Sequence, residues 1–286
     1  MYNSIIQAQC VSLERLEHLF IDLEYTKATN KTTSLYRSRS FNQKNKKYLQ
    51  FDEVKDAMKD LNKNDLKYIY FVGKDPLSHT DFNQILRLCL NYAPVTIYSD
   101  GSCINDKKAR FLKRVEDEGS NEIIFKIYIN HFDEKTNDER SSRGSFRKAM
   151  HAISSLNKYG FNPILAVLKK GEDNEIEMIE GFKQLGTKFS FETEDINFCF
   201  IPESIVLDDE NEIPSHAQAA DNINLDCKCS RMLTKNGVYT CALLANDYRG
   251  RCGGTLKDFS SKAYLETPQC AKCIKNGQNI YVNQWE

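Results

Sequence analysis

Short apolar strands alternate with amphipathic helices along most of this chain, and that alternation limits the folds open to it. Residues 68–72, Y-I-Y-F-V, form a compact aromatic and β-branched run typical of a buried strand. Strands that alternate with helices of 10 to 15 residues predict right-handed βαβ units around a parallel sheet. The pattern predicts strands at residues 19–25, 68–72, 94–98, 122–129, 162–168, 188–191 and 196–201, and helices at residues 11–19, 51–61, 81–90, 106–118, 145–159 and 174–185.

The number of repeats favours an incomplete barrel. About six β/α units precede residue 205, too few for an eight-unit barrel, so we expect an α/β fold with a partial (β/α)6 barrel at residues 1–205. An open sheet and a barrel alike would place the reactive face at the carboxyl ends of the strands. Residues 202–224 are acidic, aperiodic and contain Pro214, as expected of a linker. Residues 206–286 are expected to form a small C-terminal, cysteine-rich, metal-binding module.

Charge and hydropathy argue against two classes of partner. The 39 basic and 40 acidic residues give a formal net charge of −1, so the chain has no overall field that would attract phosphates, and we expect no nucleic-acid partner. No run approaches the roughly 20 apolar residues needed to span a bilayer, so we expect no membrane partner and a cytoplasmic location.

Cysteines cluster near the end of the chain. Six of the ten lie between Cys227 and Cys273, and such clustering inside a cell points to metal. The dipeptide Asn236-Gly237 is a strong hairpin signal, and a hairpin there would bring Cys241 back beside Cys227 or Cys229. A CxxC knuckle would complete a four-cysteine site, for which zinc and an iron–sulfur cluster are both suitable. The expected ligands are Cys241, Cys270, Cys273 and one of Cys227 and Cys229. Cys252 is expected to be a spare thiol or an alternative ligand. The four remaining cysteines are scattered and are expected to be ordinary core residues: Cys10, Cys89, Cys103 and Cys199.

The loop after the first predicted strand resembles the cluster-binding loop of radical S-adenosylmethionine (radical SAM) proteins. That family follows its first strand with cysteines spaced CxxxCxxC, and in this chain Thr29, Thr33 and Tyr36 occupy the three cysteine positions. In the family, three thiolates hold a 4Fe–4S cluster whose open iron binds SAM, and hydroxyl groups are poor substitutes for soft sulfur ligands. The resemblance therefore implies a radical SAM barrel that cannot cleave SAM reductively.

Later loops resemble the family in the same order along the chain. Residues 72–77, V-G-K-D-P-L, resemble the G-G-E-P-L segment that receives the amino group of SAM, with Lys74 in place of a glycine that lets the backbone approach the ligand. Residues 99–101 resemble T-N-G, and residues 138–146 resemble D-x-x-R-G-x-x-S-F. The resemblance thus implies degenerate SAM-site positions at Gly73, Asp75, Pro76, Ser99 and Arg143.

The tail resembles the Twitch module, the short form of the SPASM module that holds auxiliary 4Fe–4S clusters in this family. The resemblance implies such a cluster in the tail, with zinc as the alternative metal. It also implies a pseudoenzyme that acts as a binding or accessory protein for a peptide, protein or small-molecule partner. Two alternatives stay open: an active radical SAM enzyme whose cluster is held by cysteines such as Cys10, Cys89 or Cys103, and a zinc-stabilised interaction module.

Overall fold

The computed structural model describes residues 10–23, 48–73, 75–189, 197–202, 226–245, 247–265, 267, 269–270 and 273. In chain order, the strands are β1 (Cys10–Ser12), β2 (His18–Asp22), β3 (Tyr68–Val72), β4 (Val95–Ser99), β5 (Ile123–Ile129), β6 (Ile164–Lys169), β7 (Phe198–Pro202), β8 (Ser230–Thr234), β9 (Gly237–Tyr239), β10 (Arg251–Gly253) and β11 (Lys262–Tyr264). The α-helices are α1 (Phe51–Lys59), α2 (Phe82–Cys89), α3 (Asp106–Glu118), α4 (Glu134–Arg140), α5 (Ser145–Lys158) and α6 (Glu175–Phe189).

Strands β2 to β7 lie side by side in chain order, and every neighbouring pair is parallel. The pairing of β2 with β3 runs from His18 opposite Tyr68 to Asp22 opposite Val72. Helices connect successive strands, as parallel pairing requires. The predicted α/β fold with a partial (β/α)6 barrel is therefore confirmed.

Alternation along each strand divides the core into two layers. Leu19 and Ile21 of β2 pack in the larger hydrophobic cluster with the helices, while Phe20 packs with Tyr70 and Tyr98 in a second cluster on the inner face of the sheet. This is the period of two that a strand buried on both faces must show. The outer layer fixes the helices against the sheet, and the inner layer fills the lumen of the barrel.

Helix α3 shows how the sequence sets an element. Asn105 caps its amino end by accepting a hydrogen bond from the Lys108 amide at 2.9 Å, and the backbone leaves the helix at Gly119. Its apolar face buries Ala109, Leu112 and Val115. The predicted helix at residues 106–118 is confirmed, and the helices predicted from residues 51, 81, 145 and 174 are found within a few residues of their expected bounds.

Two local predictions are wrong, and one helix was not predicted. Residues 11–19 form no helix, because the backbone there bonds to the tail: the Leu13 amide donates to the Ser261 carbonyl and the Glu17 amide to the Cys229 carbonyl. The strand predicted at residues 188–191 is replaced by the end of α6 as far as Phe189, and residues 190–191 lie outside the described residues. The unpredicted helix is α4, which is short and polar.

The tail extends the barrel sheet. Strand β8 pairs in parallel with β2, from His18 opposite Ser230 to Ile21 opposite Leu233, and β9 and β10 follow in antiparallel pairing. Strand β1 pairs with β11 of the tail rather than with the barrel. The division at residues 205 and 206 stays a prediction, and the sheet itself continues from one side to the other. Among the described residues, no helix is long and apolar enough to cross a membrane.

The predicted hairpin is present, with its turn one residue earlier than the dipeptide suggested. Thr234 pairs with Gly237, so Lys235 and Asn236 form the two-residue loop. Gly237 has φ 126°, and a Cβ at that position would lie 2.4 Å from the Gly253 carbonyl oxygen. The hairpin therefore requires glycine at this position for two reasons: the positive φ angle, and the close approach of the β10 backbone, which leaves no room for a Cβ.

We expect Gly237→Ala to lower the free energy of unfolding by at least about 2 kcal/mol, because the substitution adds a backbone strain and a clash with a carbonyl oxygen. Chemical unfolding followed by circular dichroism measures the change. Gly254→Ala is the matched control, because a Cβ there meets no atom within 4 Å. Equal stability of the two variants would contradict this account of the hairpin.

Candidate functional site

Asp75 is the centre of a buried polar network just beyond the end of β3. Its side chain is 7% exposed, and Oδ1 accepts hydrogen bonds from the Leu77 amide and from Ser99 Oγ, each at 3.2 Å. Oδ2 accepts from Ser102 Oγ at 3.3 Å, and the Cys103 thiol also bonds to the carboxyl group. Burial, reinforced by the nearby Asp100 carboxylate, raises the pKa of Asp75 to about 6.

Local sequence determines the turns after β3 and β4 that position this network. Gly73 has φ 119°, and Asp75 caps a 3-10 helix that begins at Pro76. Ser99 Oγ accepts a hydrogen bond from the Gly101 amide at 3.0 Å. The structure therefore brings Gly73, Asp75, Pro76 and Ser99 together at the carboxyl ends of β3 and β4, the face at which barrels hold ligands.

Arg143, the fifth predicted position, does not join this network. It is exposed on the turn between α4 and α5. The partly buried arginine of this region is Arg140, which the sequence pattern did not indicate: its guanidinium donates two hydrogen bonds to the Asp173 carboxylate, at 2.7 and 2.8 Å, and a third to the Asn130 carbonyl. The same stretch of sequence offers both arginines, and nothing in the spacing distinguishes them.

The Asp138 carboxylate organises the start of α5 rather than a ligand site. It accepts hydrogen bonds from the amides of Gly144 and Phe146 and from Ser145 Oγ. Burial tends to raise the pKa of Asp138, but these hydrogen bonds outweigh it and lower the pKa below the usual value. Together with the ion pair of Arg140 and Asp173, this cap fixes the loops that follow β5 and β6.

The barrel lumen is aromatic, with few polar groups. Tyr98 and Tyr128 have ring centroids 5.7 Å apart, and Lys126 Nζ donates to the Tyr98 hydroxyl at 3.2 Å. Among the described residues, the Tyr128 hydroxyl and Thr96 Oγ1 are buried without a hydrogen-bond partner. These residues alternate along β4 and β5, a pattern that predicted strands but not a site. The lumen can stack against rings and offer hydroxyl groups, and no metal-binding set is found there among the described residues.

Four cysteines of the tail converge. Cys227, Cys241, Cys270 and Cys273 pack in one cluster with Val11, Leu244, Ala263 and Leu265. Burial, followed by the thiols of Cys270, Cys273 and Cys227, raises the pKa of Cys241 well above its usual value. Thr267 Oγ1 accepts a hydrogen bond from the Cys270 amide at 3.2 Å, and this bond fixes the start of the CxxC knuckle.

The other two tail cysteines face elsewhere. Cys229 lies beside Glu17 and His18, with one potential ligand atom from each of the three within 4.8 Å of the others. The Glu17 carboxylate is already paired with Arg15 at 3.0 Å and Lys67 at 3.2 Å, and two adjacent cations disfavour a divalent metal at this point. Cys252 lies 3.2 Å from Thr240 Oγ1. Of the two candidates, Cys227 therefore packs with Cys241, Cys270 and Cys273, whereas Cys229 lies beside Glu17 and His18.

A buried arginine borders the cysteine cluster, and no local pattern in the sequence signals it. Arg231 on β8 is 0% exposed, and its guanidinium lies over the Phe259 ring with 5.7 Å to the centroid. Burial lowers the pKa of Arg231, and negative charge on the nearby sulfur atoms of Cys252, Cys227, Cys241 and Cys229 would raise it.

The candidate centres lie at opposite ends of the barrel strands. Cys227 precedes β8, whose first residue pairs with His18 at the start of β2, whereas Asp75 follows the end of β3. The loop positions Thr29, Thr33 and Tyr36, and Lys74, lie outside the described residues. The cysteine cluster therefore lies at the amino ends of the strands, and Gly73, Asp75, Pro76 and Ser99, which the sequence predicts as SAM-site positions, lie at the carboxyl ends.

The four scattered cysteines do not assemble into a second set. Cys89 is buried on α2, as expected of a core residue, but Cys10 is exposed on β1, so the core interpretation is wrong for Cys10. Cys199 packs against the lumen cluster, and Cys103 bonds to Asp75. A single thiol therefore lies at the carboxyl-end network in the part of the chain that the structure describes.

The fold and the loop network define a radical SAM type of partial barrel. Residues 30–182 match the sequence profile of the Radical SAM superfamily, and because this match covers more than half of the 286 residues, the chain belongs to that superfamily. Membership implies a 4Fe–4S cluster and SAM as the family's cofactors. No sequence among curated proteins matches the chain.

Solved structures show the same fold at low sequence identity. SuiB of Streptococcus suis, bound to the precursor peptide SuiA, is 11% identical with a TM-score of 0.60, and the match covers 87% of this chain and 64% of SuiB. The AdoMet-bound, histidine-tagged anSMEcpe is 14% identical with a TM-score of 0.59, and the match covers 91% of this chain and 83% of that protein. This chain therefore spans less than two thirds of SuiB, and these similarities concern the fold alone.

Asp75 is expected to make stability depend on pH. Its pKa is raised in the folded protein, so its contribution is fully present below about pH 4 and is lost as pH rises through about 6, by up to about 3 kcal/mol. The charged or titratable groups that act on it are Asp100, Cys103 and Lys108. Asp75→Asn should flatten this slope in chemical unfolding between pH 4.5 and 7.5.

Asp138→Asn is the control for this measurement. The pKa of Asp138 is lowered, so its contribution is present above about pH 4 and disappears as pH falls. The Asp138→Asn variant should therefore still lose stability between pH 4.5 and 7.5, as the parent protein does. An unchanged slope in the Asp75 variant would show that this carboxyl group titrates normally.

Proposed function

We propose that this chain is a pseudoenzyme of the radical SAM superfamily, a binding or accessory protein that does not cleave SAM reductively. The sequence has no cysteine between Cys10 and Cys89, so the loop after β2 has no thiolate to hold a catalytic cluster. Hydroxyl groups at Thr29, Thr33 and Tyr36 do not provide the soft ligands that iron–sulfur clusters need. The residues present at the carboxyl ends of the strands do not fit that cluster.

The state of Asp75 is the observation that supports this proposal most strongly. The family uses this position to receive the amino group of SAM, and here both carboxylate oxygens already accept hydrogen bonds from Leu77, Ser99 and Ser102. Burial and the nearby Asp100 carboxylate raise the pKa of Asp75 to about 6, so this carboxyl group begins to lose its charge already in mildly acidic solution. Lys74 in the same loop adds a positive charge.

A peptide is the partner class that we favour for the lumen. The lumen offers the rings of Tyr98 and Tyr128 and two buried hydroxyl groups that could satisfy backbone or side-chain polar groups of a ligand. SuiB, a protein of the same fold, has been solved with its precursor peptide SuiA. A protein or small-molecule partner is the alternative, and a binding assay with a peptide library tests the preference.

We also propose a metal centre in the tail, held by Cys227, Cys241, Cys270 and Cys273. The four cysteines, all within the described residues, pack in one cluster, but no three of their sulfur atoms lie within 4.8 Å of one another, as a tetrahedral four-thiolate shell requires. This wide spacing and the Twitch resemblance both favour the larger 4Fe–4S cluster over zinc. Four protein ligands fill the coordination shell and leave no position open for substrate, so the role of the centre would be structural. Metal binding would then stabilise the folded tail, because the unfolded tail has no preformed site. Thiolate ligands of this kind fit a cytoplasmic location, where thiols stay reduced.

The active-enzyme alternative has little support in the described residues. It needs three thiolates near the carboxyl ends of the strands, and Cys10, Cys89 and Cys103 lie on β1, on α2 and beside Asp75 respectively. The zinc-stabilised interaction module would need zinc in the tail and a barrel that serves only as a scaffold. Iron, sulfide and zinc analysis of anaerobically purified protein distinguishes the two.

We expect SAM binding to be too weak to detect at micromolar concentration by calorimetry, and no 5′-deoxyadenosine to form under reducing conditions. The reason is the absence of an open iron and the occupied Asp75 carboxylate. The triple variant Thr29→Cys, Thr33→Cys, Tyr36→Cys is the positive control, since it should add about four irons after reconstitution. Tight SAM binding or SAM cleavage by the parent protein would overturn the proposal.

Cys270→Ser combined with Cys273→Ser should abolish metal binding and make the tail sensitive to protease, while the barrel stays folded. Loss of two of four ligands breaks the shell that fixes the hairpin to the knuckle. Metal analysis and limited proteolysis measure both effects. Cys229→Ser and Cys252→Ser are the matched controls and should keep the metal, so metal loss in either control would mean that our ligand set is wrong.

A further inference from the structure

Arg231 is a buried cation for which the described residues provide no carboxylate partner. Its Nη atoms donate to the backbone carbonyls of Cys227 at 2.8 Å, Ser230 at 2.7 Å and Ser261 at 2.6 Å. Its Nε is buried without a hydrogen-bond partner among the described residues, and no ion pair involves it there. A fully buried guanidinium that lacks an opposite charge is strongly disfavoured, so the molecule needs an anion near this point.

The tail metal centre would supply that anion. Four neutral thiols carry no charge, but four thiolates around Zn²⁺, or around an oxidised 4Fe–4S core, give a net charge of about −2. Arg231 binds the carbonyl of Cys227, one of the four proposed ligands, and lies on β8 immediately after the segment that contains it. The negative charge of the loaded centre would therefore lie beside the guanidinium, which has no other anionic partner among the described residues.

Arg231 also connects two of the segments that enclose the centre. Its bond to Cys227 holds the turn before β8, and its bond to Ser261 holds the residue before β11. Beyond β11 the chain reaches Cys270 and Cys273. Such contacts in the surroundings of a metal orient the ligands and tune the metal.

We propose that Arg231 is the counter-ion and positioning residue of the tail metal centre. The proposal rests on the four-cysteine centre proposed above. It assigns to this side chain a role that depends on the charge of the bound metal group, beyond its hydrogen bonds to the backbone.

The test compares metal retention in Arg231→Met, Arg231→Lys and the parent, each as the full chain loaded with zinc or reconstituted with iron and sulfide. Loss of metal to a chelator should be about tenfold to a hundredfold faster in Arg231→Met. Arg231→Lys keeps the charge and should give an intermediate rate. Arg251→Met is the matched control, because Arg251 is an exposed arginine of the same module, and its rate should equal that of the parent.

Two further readouts separate this role from a purely structural one. In the iron-loaded protein, Arg231→Met should shift the midpoint potential to more negative values, because a nearby positive charge favours the reduced, more anionic cluster. The unfolding midpoint should fall more in the loaded protein than in the metal-free protein. Equal losses of stability in both forms, with an unchanged chelation rate and potential, would overturn the proposal.

The two proposals fail in different ways. A parent protein that retains neither zinc nor iron at the four cysteines contradicts the metal centre, and the inference about Arg231 fails with it. A parent that holds metal, with an Arg231→Met variant that holds it equally well, contradicts the role of Arg231 alone. If the Arg231→Met variant does not fold, the rate of metal loss from Arg231→Lys, which keeps the positive charge, still tests whether the guanidinium geometry matters.

Discussion

The parallel pairing of β2 with β8 is the contact on which both parts of the molecule depend. Strand β2 has β3 on one side and β8 on the other, so this five-residue strand lies at the junction of the barrel and the tail, and the pairing of β1 with β11 adds a second contact. An exposed edge on β2 would be open to pairing with other chains, and β8 closes that edge. The hairpin, the cysteine cluster and Arg231 all take their positions from this one ladder.

This arrangement separates the proposed metal centre of the tail from the proposed ligand-binding face of the barrel. The cysteine cluster lies by the starts of β2 and β8, and the Asp75 network lies beyond the ends of β3 and β4. Under the proposed function, the first loop could lack cysteines while the tail keeps its own, because the two sets lie at opposite ends of the strands. Loss of chemistry and retention of fold are compatible in this architecture.

The sequence predicted features whose signals are local and missed those that depend on remote contacts. Helix α3 and strand β3 were located at their observed bounds from apolar spacing and residue type alone. The segment before β2 was misjudged because its partners, on β11 and before β8, are remote in sequence. The site shows the same limit, since coordinates were required to find the ion pair of Arg140 with Asp173 and the packing of Cys227, rather than Cys229, with the other tail cysteines. The burial of Arg231 and its orphaned Nε are likewise properties of the packed molecule.

The pairing of β1 with β11 has a consequence for biosynthesis. Strands β1 and β2 are synthesised long before their partners β11 and β8. The edge of the nascent sheet therefore stays open until those partners have been made, and closing contacts this distant in sequence slows folding. Nascent chains should consequently need protection from aggregation until β8 and β11 have left the ribosome.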